Sequence, residues 1–444
     1  MGEKAEMAEM AAPWPDGAGG VLRDRAGHFD AVAALCAVFV HMVVRHHVVR
    51  DCHVHSRFKI SRINTPNIKM AEIRVDHLHK AFADFTAVKN SSFTVNDGEF
   101  FCLLGPSGCG KTTTLRMIAG LEMPSSGQIF LNDEDVTLKR ASQRDIAMVF
   151  QMFALYPHMN VRQNIAFPLV SQGMNRNAIN ARVEDAARTL QITGLLKKSV
   201  SGLTSGDRQR VALGRAIVRQ PLAFMMDEPL GALDAEFREV MCEELRNLHD
   251  RLRATTVYVT HDQREAMSMA DKIAIMNQGI IEQLGAPQEI YDRPATVFVA
   301  EFMGSPAMNF IAFESGLAKG STQVMVGDAN LGFPALREAV MMRPLLYGVR
   351  PEHVRLDADS AFRAEVLGSE YLGSSQVVTL KTRGNNTVRA KIDVDTLVER
   401  GDHVGLSFDA AQITLFDQLS GRAIPSIRDD APVSTSTIRG APRG

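Results

Sequence analysis

Residues 100–112 read FFCLLGPSGCGKT, and this stretch decides the fold. Its first five residues are apolar, which is typical of a strand buried on both faces of a parallel sheet. The segment from Gly105 to Thr112 matches the phosphate-binding pattern G-x-x-x-x-G-K-[ST]. In such a loop, backbone N–H groups and the positive end of the next helix face the phosphates. We therefore expect Lys111 to reach the β- and γ-phosphates of a nucleotide and Thr112 to bind Mg²⁺.

A second apolar run, residues 223–226, ends in Asp227 and Glu228. Taken alone, such a run is typical of any strand that ends in two solvated acids. Downstream of a phosphate loop it indicates a second metal element. There Asp227 would hold Mg²⁺, and Glu228 would act as a general base that orients water toward the γ-phosphate.

Strand and helix patterns alternate around these motifs, which favours an α/β core with a parallel sheet. Strands are predicted at 73–75, 93–95, 100–104, 146–150, 223–226 and 256–259. Helices are predicted from Lys111 and at 178–191, 207–219 and 235–252. After about residue 305, short β-rich runs predict a small barrel or sandwich. These runs are 347–349, 376–380, 388–392 and 404–408.

The composition bounds the class of protein. The 444 residues are 45% hydrophobic and 23% charged, which suits two or three globular domains. Lys plus Arg number 49 and Asp plus Glu 51, giving a net charge of −2, so no basic excess points to nucleic acid. The five cysteines lack paired spacing, which favours a reducing, cytoplasmic compartment over a disulfide framework.

The two ends differ from the rest. Residues 1–69 combine a Pro/Gly segment, an apolar run and a stretch rich in His and Arg. Three interpretations are open: a signal anchor, a metal-binding tract, or an unstructured extension or untranslated stretch before Met70. The apolar run is shorter than the roughly 20 residues of a spanning helix, which favours the extension. The candidate metal ligands are His46, His47, His53 and His55. Residues 429–444 are predicted to be a disordered tail.

Between the two motifs, residues 203–213 read LTSGDRQRVAL. This resembles the signature sequence of ABC-type ATPases, usually L-S-G-G-Q followed by a basic helix. In that family's order, Gln151 resembles the Q-loop glutamine, Asp234 the D-loop aspartate and His261 the switch histidine. Phe82 stands where the family places an aromatic that stacks on adenine. The resemblance covers about residues 71–305.

The resemblance implies an ATPase that uses ATP and Mg²⁺, with Glu228 and His261 as catalytic residues. The implied metal site consists of Thr112, Gln151 and Asp227. The implied ATP-binding residues are Phe82, Gly105, Pro106, Ser107, Gly108, Cys109, Gly110, Lys111, Thr112, Thr113, Gln151, Thr204, Ser205, Gly206, Asp207 and Asp234.

Three C-terminal segments extend the resemblance to the maltose-importer class. They are GSPAMN at 304–309, GVRPEH at 348–353 and LFD at 415–417. This class implies a phosphate-loop ABC-type ATPase domain with a helical subdomain, expected at 70–305. An all-β, oligonucleotide-binding-like (TOBE) barrel region is expected at 306–428 and would serve dimer contacts and regulation.

The family implies the energising subunit of a bacterial importer for a sugar, polyol or sugar phosphate. It would form a head-to-tail dimer, with itself or with a related ATPase, on the cytoplasmic face of the inner membrane. Two permease subunits would dock near residues 151–160, and an extracytoplasmic solute-binding protein would deliver the solute. Two other classes are a soluble ABC-type ATPase of translation or DNA repair, and a barrel module that binds nucleic acid or a regulator. The single phosphate loop argues against translation ATPases, and the lack of sustained heptads between Lys111 and Leu203 argues against repair ATPases. The lack of a basic, aromatic stripe argues against the barrel module.

The signature departs from the family pattern at three positions. Thr204 keeps a hydroxyl, and Gly206 permits close backbone approach. Ser205 replaces a glycine, which would cost about 1 kcal/mol or more if that position needs a positive φ. Asp207 replaces glutamine. It either favours the helix N-terminus or repels a phosphate, by roughly 2 kcal/mol at about 7 Å and an effective dielectric near 20.

Overall fold

A computed structural model of the chain describes residues 71–150, 154–231 and 233–430. The predictions made for residues 1–69, for Gln151 and for residues beyond 430 lie outside this part. The first two residues of the expected tail end a short 3₁₀ helix, Ile427–Asp430. Among the described helices, none is long and apolar enough to cross a lipid bilayer.

The ATPase part contains strands and helices in alternation. Its strands are β1 Ile73–Ala81, β2 Thr86–Val95, β3 Phe100–Leu104, β4 Ser126–Leu131, β5 Glu134–Asp135, β6 Ile146–Val149, β7 Ala223–Asp227, β8 Thr255–Thr260, β9 Lys272–Asn277 and β10 Ile280–Gly285. The helices are α1 Lys111–Ile118, α2 Val161–Ser171, α3 Arg176–Thr189, α4 Ser205–Ile217, α5 Ala235–Leu252, α6 Gln263–Met269, α7 Pro287–Asp292 and α8 Val297–Phe302.

The central sheet has the strand order β10-β9-β3-β8-β7-β6. All its pairs are parallel except that of β10 with β9 at one edge. Every residue of β3 is buried, and its side chains alternate between two cores. Phe101 and Leu103 pack with α1 and the antiparallel sheet β2-β1-β4-β5, whereas Phe100, Cys102 and Leu104 pack with the helices. The predicted α/β fold with a parallel sheet is confirmed.

Most predicted elements are present, with some different bounds. Strand 100–104 and helix 235–252 have the predicted ends. The helix predicted at 207–219 instead runs over Ser205–Ile217, because the Thr204 hydroxyl caps it by accepting from the Asp207 N–H at 3.2 Å. Helix α2 was missed, since it carries Pro168 in its interior and only a weak apolar periodicity.

The C-terminal region consists of strands with short 3₁₀ turns, which confirms the expected all-β class. Its strands are β11 Asn309–Leu317, β12 Gln323–Val326, β13 Ala329–Gly332, β14 Val340–Val349, β15 Val354–Leu356, β16 Arg363–Tyr371, β17 Ser375–Thr382, β18 Thr387–Asp393, β19 His403–Phe408 and β20 Thr414–Asp417. They form sheets of order β11-β14-β20, β12-β13 and β15-β19-β16-β17-β18 around a common apolar core.

Arg350, in the 348–353 motif, ties this region to the last two helices of the ATPase part. Its guanidinium is buried and donates to the carbonyls of Tyr291, at 2.8 Å, and of Ala300 and Met303. It also lies 4.0 Å from the ring centroid of Tyr291. A buried cation that donates to three carbonyls and lies against an aromatic face fixes where the β-rich region attaches.

Arg144 also holds neighbouring segments together, at the C-terminal end of the phosphate-loop helix α1. Its side chain is buried, and it donates to the carbonyls of Met117 and Ile118, at 2.7 and 2.8 Å, in the last turn of α1. It donates further to the carbonyls of Thr137 and Lys139, at 3.0 and 2.9 Å. The cation therefore satisfies carbonyls at the C-terminus of α1, where the helix dipole is negative.

We expect Arg144→Met to lower the free energy of unfolding by about 3–5 kcal/mol, because it leaves buried carbonyls without a donor. Urea unfolding of the full chain, followed by circular dichroism, measures the change. The matched control is Arg140→Met at a nearby exposed position, expected to stay within about 0.5 kcal/mol of wild type. Equal losses in the two variants would contradict the assigned role of Arg144.

Candidate active site

The strand order brings the candidate catalytic residues to one edge of the sheet. Strand β8 pairs in parallel with β3 on one side and with β7 on the other. The carboxyl ends of parallel neighbours meet at the same edge, where open α/β sheets bind their ligands. The phosphate loop follows β3, Asp227 ends β7, and His261 comes directly after β8.

The loop between β3 and α1 forms a cradle of backbone groups. Gly108 and Gly110 have φ angles of 79° and 106°, a region that favours glycine. A Cβ at Gly110 would collide with the carbonyl of Ala87, whereas the space beside Gly108 is open. No side chain of the described residues caps the N-terminus of α1. Its N–H groups are therefore available for an anion.

Lys111 is folded back onto this loop. Its Nζ donates to the carbonyls of Gly105 and Pro106, both at 2.8 Å, and lies 3.8 Å from the Sγ of Cys109. The lysine is buried, and these carbonyls are the hydrogen-bond acceptors of its ammonium group. A phosphate in the loop would offer the ammonium a stronger, charged partner.

Thr112 and Asp227 lie side by side, as the sequence predicts for two metal ligands. The Thr112 hydroxyl donates to Oδ1 of Asp227 at 2.9 Å. Burial raises the pKa of Asp227 above its ordinary value, and the hydrogen bond from Thr112 partly offsets this rise. A hydroxyl and a carboxylate are hard oxygen donors of the kind that Mg²⁺ prefers. Among the described residues, no cluster of three or more His, Cys, Asp or Glu forms a further metal site.

Glu228 and His261 also come together. Nδ1 of His261 lies 3.2 Å from Oε1 of Glu228. Glu228 has a φ of 44°, which is unusual for a residue with a side chain, and its N–H donates to the carbonyl of Val259 at 3.0 Å. Because the backbone bends here, Asp227 contacts Thr112 whereas the next residue, Glu228, contacts His261. Strain held in place by a neighbouring strand is typical of functional positions.

Phe82 lies in the turn between β1 and β2 and is 39% exposed. Its ring stacks on Phe85, with centroids 5.2 Å apart, and Nζ of Lys80 lies 4.8 Å from its centroid. An exposed aromatic pair beside a cation suits a stacking platform for a planar base. Sequence reasoning missed Phe85, although the same turn carries both rings.

The signature segment forms the start of α4. Ser205 is the first helical residue and is absent from the positions with positive φ, so the strain that we considered for it does not occur. A Cβ at Gly206 would collide with the ring of Phe237, so glycine there lets the ring pack against the helix in its present position. Asp207 lies in the first helical turn, where its charge suits the dipole. Its carboxylate also lies 3.5 Å from Nη1 of Arg210, a partner that sequence reasoning missed.

Of two further candidates, Asp234 and Gln151, the structure describes only the first. Asp234 caps α5, accepting from the N–H of Phe237 at 3.0 Å. Gln151 lies outside the described residues. Within the described part, no hydrogen bond or ion pair joins residues 204–207 to the loop 105–113. Among the described residues, the structure therefore joins the loop to Asp227 through Thr112 and shows no such bond from the loop to the signature.

The fold and this geometry define a phosphate-loop nucleotide-binding domain. The ABC transporter family profile matches residues 88–231, and a TOBE domain profile matches residues 347–416. The trehalose/maltose import ATP-binding protein MalK of Thermococcus litoralis is 46% identical over 378 residues, covering 80% of this chain and all of that protein. The chain therefore belongs to the ATP-binding subunits of the ABC transporter family, and it is an ATPase.

Two other relatives are similar to the chain over almost their whole length. The trehalose import ATP-binding protein SugC of Mycobacterium tuberculosis is 44% identical, covering 79% of this chain and 98% of that protein. The sn-glycerol-3-phosphate import ATP-binding protein UgpC of Ruegeria pomeroyi is 42% identical, covering 80% and 99%. The resemblance drawn from the signature and C-terminal motifs is thus confirmed.

We expect Asp227→Asn to stabilise the nucleotide-free protein. Because the carboxyl pKa is raised in the folded state, ionised Asp227 costs folding free energy above that pKa. Asparagine removes this cost and still accepts from Thr112. The unfolding temperature at neutral pH should rise by roughly 2–4 °C, the shift that about 1 kcal/mol produces in a domain of this size.

The same thermal scans give the control. The gain should shrink as the pH falls, since the wild-type carboxyl is then protonated both folded and unfolded. Asp234→Asn makes the same chemical change at an exposed helix cap, where asparagine caps equally well, and should give no gain. A lower unfolding temperature for Asp227→Asn would show that burial of its charge is not costly.

Proposed function

We propose that this protein is the ATP-hydrolysing subunit of an importer for a sugar, a polyol or a sugar phosphate. The observation that carries the proposal is the convergence of Lys111, Thr112, Asp227, Glu228 and His261 at one sheet edge. The trehalose, maltose and glycerol-3-phosphate import proteins similar to this chain support the substrate class. The solute itself would be selected by other subunits.

In this proposal the phosphate loop and Lys111 hold the β- and γ-phosphates of ATP, and Phe82 stacks on its adenine. Thr112 and Asp227 would hold Mg²⁺, with Gln151 as a further ligand. The bound metal would neutralise phosphate charge during hydrolysis. The open space beside Gly108 and the paired oxygens of Thr112 and Asp227 suit these ligands.

Glu228 would accept a proton from the attacking water. Its Oε1 lies 3.2 Å from Nδ1 of His261, which would hold the carboxylate in place and contact the γ-phosphate side of the site. The phosphate loop and Lys111 would stabilise the charge that develops as the bond to the leaving ADP breaks. Glu228 and His261 are therefore our proposed catalytic residues.

The active unit would be a head-to-tail dimer with itself or with a related ATPase. Within the described part, no hydrogen bond or ion pair joins residues 204–207 to the loop 105–113 of their own chain, and in the dimer they would contact a nucleotide bound by the partner. Thr204 and Asp234 would lie at that interface. ATP would thus be buried between one chain's loop and the other chain's signature.

Two permease subunits would transmit the closure of this dimer, and a solute-binding protein would deliver solute from outside. The permeases would dock near residues 151–160 on the cytoplasmic face of the inner membrane, making the subunit peripheral. We assign residues 70–305 to the ATPase domain and 306–428 to the barrel region, which would serve dimer contacts and regulation. We do not propose nucleic acid as a partner of this protein.

We expect Glu228→Gln to lower ATP turnover by at least about 100-fold while ATP still stabilises the protein against heat, because general-base catalysis contributes about that much. Wild-type turnover should rise more steeply than linearly with protein concentration, since two chains form each site. Both quantities are measured on the full chain by phosphate release and thermal scans.

Glu236→Gln is the matched control, since it makes the same chemical change at an exposed carboxylate a few residues downstream. It should keep turnover within about twofold of wild type. Equal losses in the two variants would argue against Glu228 as the base. Absence of any ATP-driven stabilisation of the wild-type chain would argue against the proposed function as a whole.

A further inference from the structure

Asp207 is the unusual charge in the signature of this chain. It lies in the first turn of α4, three residues after the capping residue Thr204, and its side chain is 23% exposed. In the proposed dimer this turn would face the phosphates of the partner's ATP. An uncompensated carboxylate there would weaken ATP-driven closure, because like charges repel most strongly where water is excluded.

One turn further along the helix, Arg210 supplies an opposite charge. Its Nη1 lies 3.5 Å from Oδ1 of Asp207. Its side chain is 21% exposed, so the pair is screened less by salt than a fully exposed pair. The cation therefore offsets the charge of Asp207 at the end of the helix that the phosphates would approach.

Glu244 holds this arginine from the other side. Nη2 and Nε of Arg210 donate to Oε1 and Oε2 of Glu244 at 2.8 and 3.1 Å, a bidentate pair between α4 and α5. The same two helices meet where the ring of Phe237 covers Gly206. The guanidinium is therefore fixed in orientation, and its charge stays beside Asp207.

We propose that Arg210 is a positioning residue that cancels the charge of Asp207 and so keeps the altered signature compatible with a partner's ATP. The inference rests on the proposed function, since it assumes the head-to-tail dimer. It makes a specific claim: the arginine matters for ATP-driven closure because residue 207 is an aspartate. With glutamine at 207, the same arginine should matter much less.

A double-mutant cycle tests this claim in the full-length chain carrying Glu228→Gln, in which bound ATP is retained. The readout is the ATP concentration that gives half-maximal dimer formation, measured by light scattering. Arg210→Gln should raise this concentration roughly tenfold at about 0.05 M NaCl, where exposed charges elsewhere on the chain are screened least. In the Asp207→Gln background, Arg210→Gln should change it less than twofold.

Two controls separate charge cancellation from a purely structural role. Glu244→Gln keeps an oxygen that accepts from Arg210 and so leaves the guanidinium beside Asp207, and half-maximal dimer formation should not need more ATP. Arg208→Gln removes a cation from the exposed side of the same helix, and its effect should be equal in both backgrounds.

The outcomes are distinguishable. If Arg210→Gln has equal effects with Asp207 and with Gln at that position, or if Glu244→Gln reproduces its loss, the assigned role of Arg210 is wrong. If ATP produces no dimer of the Glu228→Gln chain although it binds, the head-to-tail dimer is wrong, and the role of Arg210 falls with it. Thermal scans of each variant identify any that are misfolded.

Discussion

The insertion of β8 between β3 and β7 is the constraint on which the site depends. Both pairings are parallel, so the loop after β3, the acids after β7 and the histidine after β8 share one edge. The pairing survives because both faces of β3 are buried, in two separate cores. A shift in the register of β8 against β3 and β7 would disturb this edge. It would move Thr112 away from Asp227 and Glu228 away from His261.

In the signature, the position of the helix cap makes the change from glycine to serine at residue 205 tolerable. With Thr204 as the cap, the helix begins at Ser205, and no left-handed residue is needed there. Serine therefore replaces glycine without backbone strain. Gly206 is constrained by a different cause, the aromatic ring of Phe237 lying against it. Of these two adjacent positions, Ser205 depends on the backbone conformation and Gly206 on side-chain packing.

Local motifs could be predicted from the sequence, and contacts between distant elements could not. The phosphate loop and the acids of β7 follow from residue types that their chemistry requires at fixed spacing. Helix α2 could not be predicted, because Pro168 in its interior and its weak apolar periodicity are not typical of a helix. The pairing of Arg210 with Asp207 follows helical spacing and could have been found, whereas its bond to Glu244 depends on how α4 packs against α5.

In the proposed dimer, the separation of charge would divide the binding of ATP between two chains. Lys111 and the N-terminus of α1 make the electrostatic potential at the loop positive. Asp207 places a negative charge at the start of α4. A triphosphate is attracted to the first and would be repelled by the second. Arg210 reduces that repulsion without adding net attraction, since Glu244 draws on the same guanidinium. Binding would then begin at the loop, and the signature would engage only when the second chain arrives.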